Sequence, residues 1–439
     1  MYLAQLGIKN LGPISALEWA PPPKDLAGWH VVLGNNGSGK SSLLRAMALA
    51  WVGFEPFLRW IPDIRALVKD GEPDASISLR LSARHPATSA QLRSLADNYE
   101  PSNPNRQWFD ADPTTTYTIR AASPGIAQDA GTFVDLHRAR FAAAGFGTGR
   151  RFLFDDARAR AAYANQPAAA RFVTLLDPGT SLIECLEWLR ALRFSLLDAE
   201  KGGDPSGGPA GRQLWTVSKM VRRLSLREGA LSIAEVTPKA VMFRDGFGAR
   251  VAAQSLSDGL QAVLGIVLEV ARVLAQSFPD HVAWAEAHET GVLDLPACVI
   301  IDEVDVHLHA LWQRQIGELL QTIFPGVQFI VSSHSPLVCQ CNPRSIFRLD
   351  RAEQGAGGRM IEGEEYYRIV NGDVAEALAT PAFSQVAGGR SAAAQALVSE
   401  LAALNVRALR GKLDAEDAKR RDELRLLLPE FAHTLEAAE

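Results

Sequence analysis

The chain has 439 residues, 47% hydrophobic and 22% charged, ordinary values for a globular protein and enough length for about three units of ~150 residues each. Its 45 Lys and Arg against 50 Asp and Glu leave a net charge of −5, so no global positive field draws it to nucleic acid, and any such surface has to be local. Four scattered cysteines exclude a disulfide framework, and Cys339 and Cys341, one residue apart with no second pair, make a poor zinc site.

The opening MYLAQLGIKNLGPI has no basic segment followed by an unbroken apolar core. It is not expected to be an export signal, and the expected location is cytoplasmic. YLAQLGI alternates and predicts a strand, and HVVLG (His30–Gly34) is the short apolar run of a strand buried on both faces. A helix is predicted from near Ser41 to about Trp51, with Leu43, Leu44, Met47 and Ala48 on one stripe. ASISLRLSA (Ala75–Ala83) is another strand.

From about residue 86 to 230 the texture changes. PATSA, PSNPNRQWFDADPTTT and AASPGIAQDAGT are turn-rich, Ser181–Glu200 is helical in period, and KGGDPSGGPAGR (Lys201–Arg212) predicts a flexible loop. The stretch lacks sustained heptads, which favours an inserted lobe over a long coiled coil. Strand texture returns with LSIAEVT and AVMFRD. LQAVLGIVLEVARVLA (Leu260–Ala275) holds Gln261, Glu269 and Arg272 and falls short of the ~20 residues that span a bilayer, so a buried helix is expected and no membrane. ACVIID (Ala297–Asp302) and VQFIVSSHS (Val327–Ser335) read as two more core strands. The tail predicts two helices broken near Gly411, the second capped by Asp414.

Chemistry concentrates in three places. GNNGSGKSS matches Gly-x4-Gly-Lys-Ser, directly after a strand and opening a helix, which is the context of a phosphate-binding loop. Gly34, Asn35, Asn36, Gly37, Ser38, Gly39, Lys40, Ser41 and Ser42 are therefore the candidate nucleotide contacts. Backbone amides cradle the phosphates, Lys40 reaches the β and γ groups, and the Ser41 hydroxyl ligates Mg2+. In IIDEVDVHLH an apolar strand ends in two acids: Asp302 suits the metal, and Glu303 suits the general base that orients the attacking water. His334 ends the next strand, where an imidazole can hydrogen-bond a γ-phosphate and sense its loss. His307 and His309, at i, i+2, suit neither one helix face nor a zinc pair and are read as loop or interface residues.

GNNGSGKSS, LSDG, VIIDEVDVHLH and VSSHSP, in this order, resemble the ABC-class ATPase heads shared by SMC, RecF-like and OLD-type proteins. The resemblance covers roughly residues 1–85 and 230–350. DEVDVHLH is closer to the OLD and Septu style than to transporter ATPases, and the middle segment and tail look like ATPases of bacterial anti-phage systems such as Septu. The resemblance implies an α/β fold: a P-loop head with a mixed sheet flanked by helices (1–85 and 231–390), an inserted mainly helical or irregular lobe (86–230) and a C-terminal helical hairpin (391–439). It places Ser257, Asp258 and Gly259 against the γ-phosphate of ATP held by an opposite subunit, and so implies a homodimer or higher oligomer. It also implies an effector protein, a nuclease, regulated by ATP and Mg2+-dependent closure. The tail hairpin is the expected docking element. The glutamine that usually ligates magnesium is unassigned. Only 105 residues follow His334, without the acidic cluster of a Toprim nuclease, so an intrinsic nuclease is not expected. The alternative is a RecF-like DNA-binding clamp, with Arg138, Arg140, Arg150, Arg151, Arg222 and Arg223 as candidate contacts. A transporter motor is disfavoured by the 217 residues between Lys40 and Ser257.

Overall fold

The computed structural model describes residues 1–52, 64–89, 114–120, 125–129, 141–153, 156–165, 167–204, 207–224, 231–350, 357–383 and 392–428. Strands β1 (Tyr2–Leu11) and β2 (Ile14–Trp19) pair antiparallel. Gly12, at φ +53°, supplies the left-handed residue of the tight turn between them. Strand β3 (Gly28–Gly34) is buried along its whole length, as its unbroken apolar run requires. It leads through the glycine-rich loop into α1 (Lys40–Val52). Strands β4 (Asp74–Ser82), β5 (Thr114–Arg120) and β6 (Gly125–Asp129) complete an antiparallel sheet of order β2-β1-β4-β5-β6.

After β7 (Ala143–Phe146) come α2 (Glu184–Lys201) and α3 (Gly208–Arg223). Half of the predicted loop at Lys201–Arg212 is therefore helix. Gly207, at φ +64°, breaks the chain, and Pro209 sits in the first turn of α3, where its missing N–H costs nothing. Strands β8 (Ser232–Val236), β9 (Val241–Arg244) and β10 (Arg250–Ala252) form a small antiparallel sheet. Then follow α4 (Asp258–Ser277), β11 (Ala297–Ile301), α5 (Ala310–Ile323), β12 (Val327–Ser333), β13 (Ser345–Leu349) and β14 (Gly358–Met360).

The second sheet runs β14-β13-β3-β12-β11-β7, parallel except for its antiparallel edge β14. This mixed sheet flanked by helices is the α/β head that the motifs imply. β7 was not anticipated: Ala-Ala-Gly-Phe carries almost no strand signal, and what makes it a strand is a place beside β11. Leu43, Leu44 and Met47 of α1 share one apolar cluster with Leu6, Ile8 and Trp19 of the antiparallel sheet and with Val32, Ile300 and Ile330 of the parallel one. Each such side chain contributes roughly 1.5–3 kcal/mol by leaving water, which fixes the start of α1 against both sheets. α4 is buried nearly all round, as its composition predicts, and neutralises its two interior charges by an ion pair of Arg272 with Glu269 at 2.6 Å. No helix among the described residues is long and apolar enough to cross a membrane.

The chain divides into two compact units, Met1–Ala377 and Leu378–Glu439. In the second, α6 (Ala392–Leu409) and α7 (Ala415–Leu427) join through Gly411 at φ +64° and pack Leu401, Leu404 and Leu424 together. The Asp414 side chain caps α7 by accepting from the Asp417 amide at 2.7 Å, so both the break and the cap fall where the sequence places them.

One buried base in β3 makes a pH prediction. His30 is fully buried; Nε2 lies 3.0 Å from the Leu26 carbonyl, so it carries the proton and donates, while Nδ1 accepts from Ser345 Oγ at 2.8 Å. Burial lowers its pKa to about 4. Because the folded value lies below the unfolded ~6.5, the neutral ring's contribution is complete above pH ~6.5 and is lost as pH falls toward 4. The expected loss between pH 7 and pH 4 is about 3 kcal/mol. Denaturant titrations at several pH values would show it as a steeper acid dependence in the wild type than in His30→Gln; equal slopes would refute the assignment.

Candidate functional site

Parallel register aligns four strand ends. Leu33 pairs with Ser333, Val331 with Ile301, and Ile301 with Phe146. The next residues, Gly34, His334, Asp302 and Gly147, therefore emerge along one carboxyl edge, where open α/β sheets bind ligands.

Glycines 37 and 39 take φ +78° and +98°, which lets the backbone curl between β3 and α1. A Cβ on Gly39 would come within 3.0 Å of Pro13, so the loop is seated against the β1–β2 turn. Lys40 is 6% exposed, and its Nζ donates to the carbonyls of Gly34 at 2.9 Å and Asn35 at 3.2 Å. It also lies 2.7 Å from His334 Nε2. An ammonium donates, so that imidazole nitrogen accepts, the ring is neutral, and its proton is on Nδ1. Burial depresses the His334 pKa, and Lys40 depresses it further. Burial also lowers Lys40, against the opposing pull of Glu303, Asp302 and Asp305. Ser38 Oγ is buried without a hydrogen-bond partner, a donor suited to a phosphate oxygen.

The two acids are held differently. Asp302 is buried, and its Oδ1 accepts from Ser332 Oγ at 2.6 Å. The same hydroxyl oxygen accepts the Glu303 amide at 2.7 Å. Glu303 itself adopts φ +45°, a left-handed conformation costing about 1–3 kcal/mol in a residue with a Cβ. Its side chain is half-buried and borders a cleft of about 500 Å³ shared with Thr148, Arg151, Thr180, Ser181 and His307.

No cluster of three or more His, Cys, Asp or Glu among the described residues is arranged to cage a metal. Magnesium needs no such cage where phosphates and water complete its octahedron. A buried carboxylate at a strand end, with the first-turn hydroxyl of Ser41 on α1, fits a cation held chiefly by its nucleotide.

The LSDG stretch opens α4. Ser257 and Asp258 are exposed, and the Ser257 side chain makes no capping hydrogen bond. The ordinary-cap explanation of this serine thus fails, and its hydroxyl stays at a helix N-terminus, where anions are favoured. Asp258 pairs with Arg151 at 2.8 Å. Gly259 is required where it stands: a Cβ there would lie 2.7 Å from the His307 carbonyl, so α4 begins directly against the loop that follows Glu303. His307 is itself left-handed (φ +68°), and His309 caps α5 by accepting from the Leu311 amide, the loop roles expected of both.

The arginines divide. Arg150, a candidate DNA contact only in the alternative clamp reading, is 1% exposed and cannot touch a duplex. Arg151, half exposed, pairs with Asp258, and Arg223 donates to the Thr290 carbonyl. Arg222 is exposed, and Arg138 and Arg140 lie outside the described residues. The sequence reading missed Ser332, which joins Asp302 to the Glu303 amide; its only signal was a hydroxyl two residues before His334.

A family described as "AAA domain, putative AbiEii toxin, Type IV TA system" matches residues 148–340. The Septu protein PtuA of Bacillus mycoides is 25% identical over 314 residues, covering 71% of this chain and 35% of that protein. The Retron Ec83 probable ATPase of Escherichia coli is 39% identical over 109 residues, 25% of this chain and 19% of that one. The chain thus spans about a third or less of the length of these relatives. Among solved structures, the SmcHead bound to the C-winged helix domain of ScpA aligns at a TM-score of 0.49 and 12% identity, over 83% of this chain and 99% of that one. The chain resembles the Septu protein PtuA and the retron probable ATPase in sequence, in keeping with the ABC-class resemblance of its four motifs.

Proposed function

We propose that this ABC-class head binds and hydrolyses ATP between two copies of itself, as a homodimer or within a higher oligomer. The closure then regulates an associated effector, a nuclease, in anti-phage defence. The observation that carries this reading is the convergence of Lys40, Asp302, Glu303 and His334 on adjacent strand ends. The Septu and retron names of its relatives support the setting.

In this reading the amides of residues 34–42 and Ser38 Oγ take the phosphates. Lys40 exchanges its two carbonyl acceptors and His334 for β- and γ-phosphate oxygens. Ser41 and Asp302 would hold Mg2+, which when bound would supply the positive charge that those oxygens call for. Glu303 orients the attacking water and accepts its proton. His334, freed from Lys40, donates a hydrogen bond to the γ-phosphate and loses that acceptor when phosphate leaves. Ser257 and the Gly259 amide cap the nucleotide held by the other copy.

The test is light scattering with and without Mg2+-ATP under conditions that block turnover. A mass that doubles or rises further only with nucleotide supports the reading; a monomer in both conditions overturns it. Deleting residues 391–439 is expected to abolish co-purification of the effector while nucleotide affinity stays unchanged, and co-elution from the truncated protein would remove the tail from the scheme. The DNA-clamp alternative requires a steep salt dependence of DNA binding, and the burial of Arg150 takes away one of its candidate contacts.

A further inference from the structure

The segment Gly147–Phe152, which follows β7, has no role in the scheme above, yet its glycines are demanding. A Cβ on Gly147 would lie 2.0 Å from the Thr174 carbonyl oxygen, and one on Gly149 would lie 2.3 Å from that of Pro178. Only glycine lets the chain pass so close to two backbones, and the path delivers Arg150 into the interior at the end of β11. There Nη1 donates to the carbonyls of Gly147 at 2.7 Å and Asp302 at 2.8 Å, and Nη2 donates to that of Glu303 at 3.0 Å. Nε has no partner.

A buried guanidinium usually meets a carboxylate side by side. Here the fork spans the backbone oxygens of the two consecutive acids instead. The Glu303 peptide is thereby clamped from both directions, its N–H by Ser332 Oγ and its C=O by Arg150 Nη2. That residue is the left-handed one, at φ +45°. Released, it would relax toward the extended region and swing its carboxylate off line.

The geometry points to Arg150 as a positioning residue for hydrolysis: it holds the Glu303 backbone in its strained conformation and so aims the carboxylate at the attacking water. This rests on the reading of Glu303 as the group that orients that water. Arg150 touches neither nucleotide nor water in this scheme and acts only through Glu303. The fork matters as well as the charge, because a lysine reaches one carbonyl where arginine spans both.

The experiment is a double-mutant cycle of Arg150→Met and Glu303→Gln, read by kcat for ATP hydrolysis, by ATP affinity and by thermal stability. Arg150→Met is expected to lower kcat about 10- to 100-fold, the scale of a small misplacement of a reacting group, with ATP affinity changed less than about threefold. In the Glu303→Gln background the same substitution is expected to cost less than about twofold, since nothing remains to be aimed. Arg150→Lys should recover part of the loss, and it carries the same cycle if the methionine variant does not fold. The proposal is overturned if Arg150→Met leaves kcat intact, or if it slows the Glu303→Gln protein as much as the wild type. A Glu303→Gln protein of undiminished turnover would instead refute the underlying role of Glu303, whatever Arg150 does.

Discussion

Glu303→Gln is expected to bind ATP with near-normal affinity and to hydrolyse it about 10²- to 10⁴-fold more slowly, the range lost when general-base assistance is removed. Glutamine keeps the size and shape of the side chain, and the backbone clamps from Ser332 and Arg150 do not involve the carboxylate. Only proton acceptance is deleted. The binding half of this prediction follows from separation: in the proposed scheme Lys40 and the glycine-rich turn take the phosphates at the end of β3, whereas Glu303 stands at the end of β11, two strands away. Single-turnover phosphate release alongside equilibrium nucleotide binding checks both halves. A loss of affinity comparable to the loss of rate would reassign Glu303 to ground-state binding.

Ser257→Arg is expected to abolish hydrolysis, by more than about 10²-fold, without changing the stability of the monomer or its grip on ATP. The hydroxyl is exposed and makes no capping bond, so the fold loses nothing when it goes. In the proposed dimer, an arginine at that helix N-terminus places bulk and a positive charge where the other copy approaches. Mixing tells more than the single variant. Lys40→Ala should also be inactive, but a mixed dimer of the two variants contains one complete composite site, the glycine-rich turn of one copy facing the serine of the other. Equimolar mixing of the two dead proteins should therefore restore a measurable share of activity. No recovery, in a mixture proven to exchange subunits, would mean that each nucleotide is served by a single copy.

What the residues disclosed in advance was whatever depends on near neighbours in the chain. The glycine-rich turn, the two acids closing an apolar run and the Asp414 cap are decided within about ten residues of sequence, and each stands where expected. The sequence reading put Asp302 and His334 at the ends of parallel strands; that β12 also pairs with β3 and brings His334 beside Lys40 is disclosed only by the structure. The failures share a cause. β7 is a strand because of β11, some 150 residues later, and Ala-Ala-Gly-Phe says nothing of that. Arg150 belongs to a run of charge, and charge usually means water; its burial depends on three carbonyl groups that no local pattern announces. The left-handed turn at Glu303 was invisible for the same reason: the groups that bond its backbone, Ser332 and Arg150, lie 29 and 153 residues away in the chain.

The order of the parallel sheet also governs when the protein can become itself. Strand β3 has both its neighbours, β12 and β13, roughly 300 residues further along, and it is synthesised long before either exists. At the ~5–20 residues per second of translation, the nascent glycine-rich turn waits on the order of 15–60 s for a sheet to join. The hairpin of β1 and β2, and β4 beside it, need no such delay and can shelter α1 meanwhile. Nucleotide should accordingly be unable to rescue stalled chains that end before β12, and ribosome-bound intermediates of that length should lean on chaperones until the last parallel strand arrives.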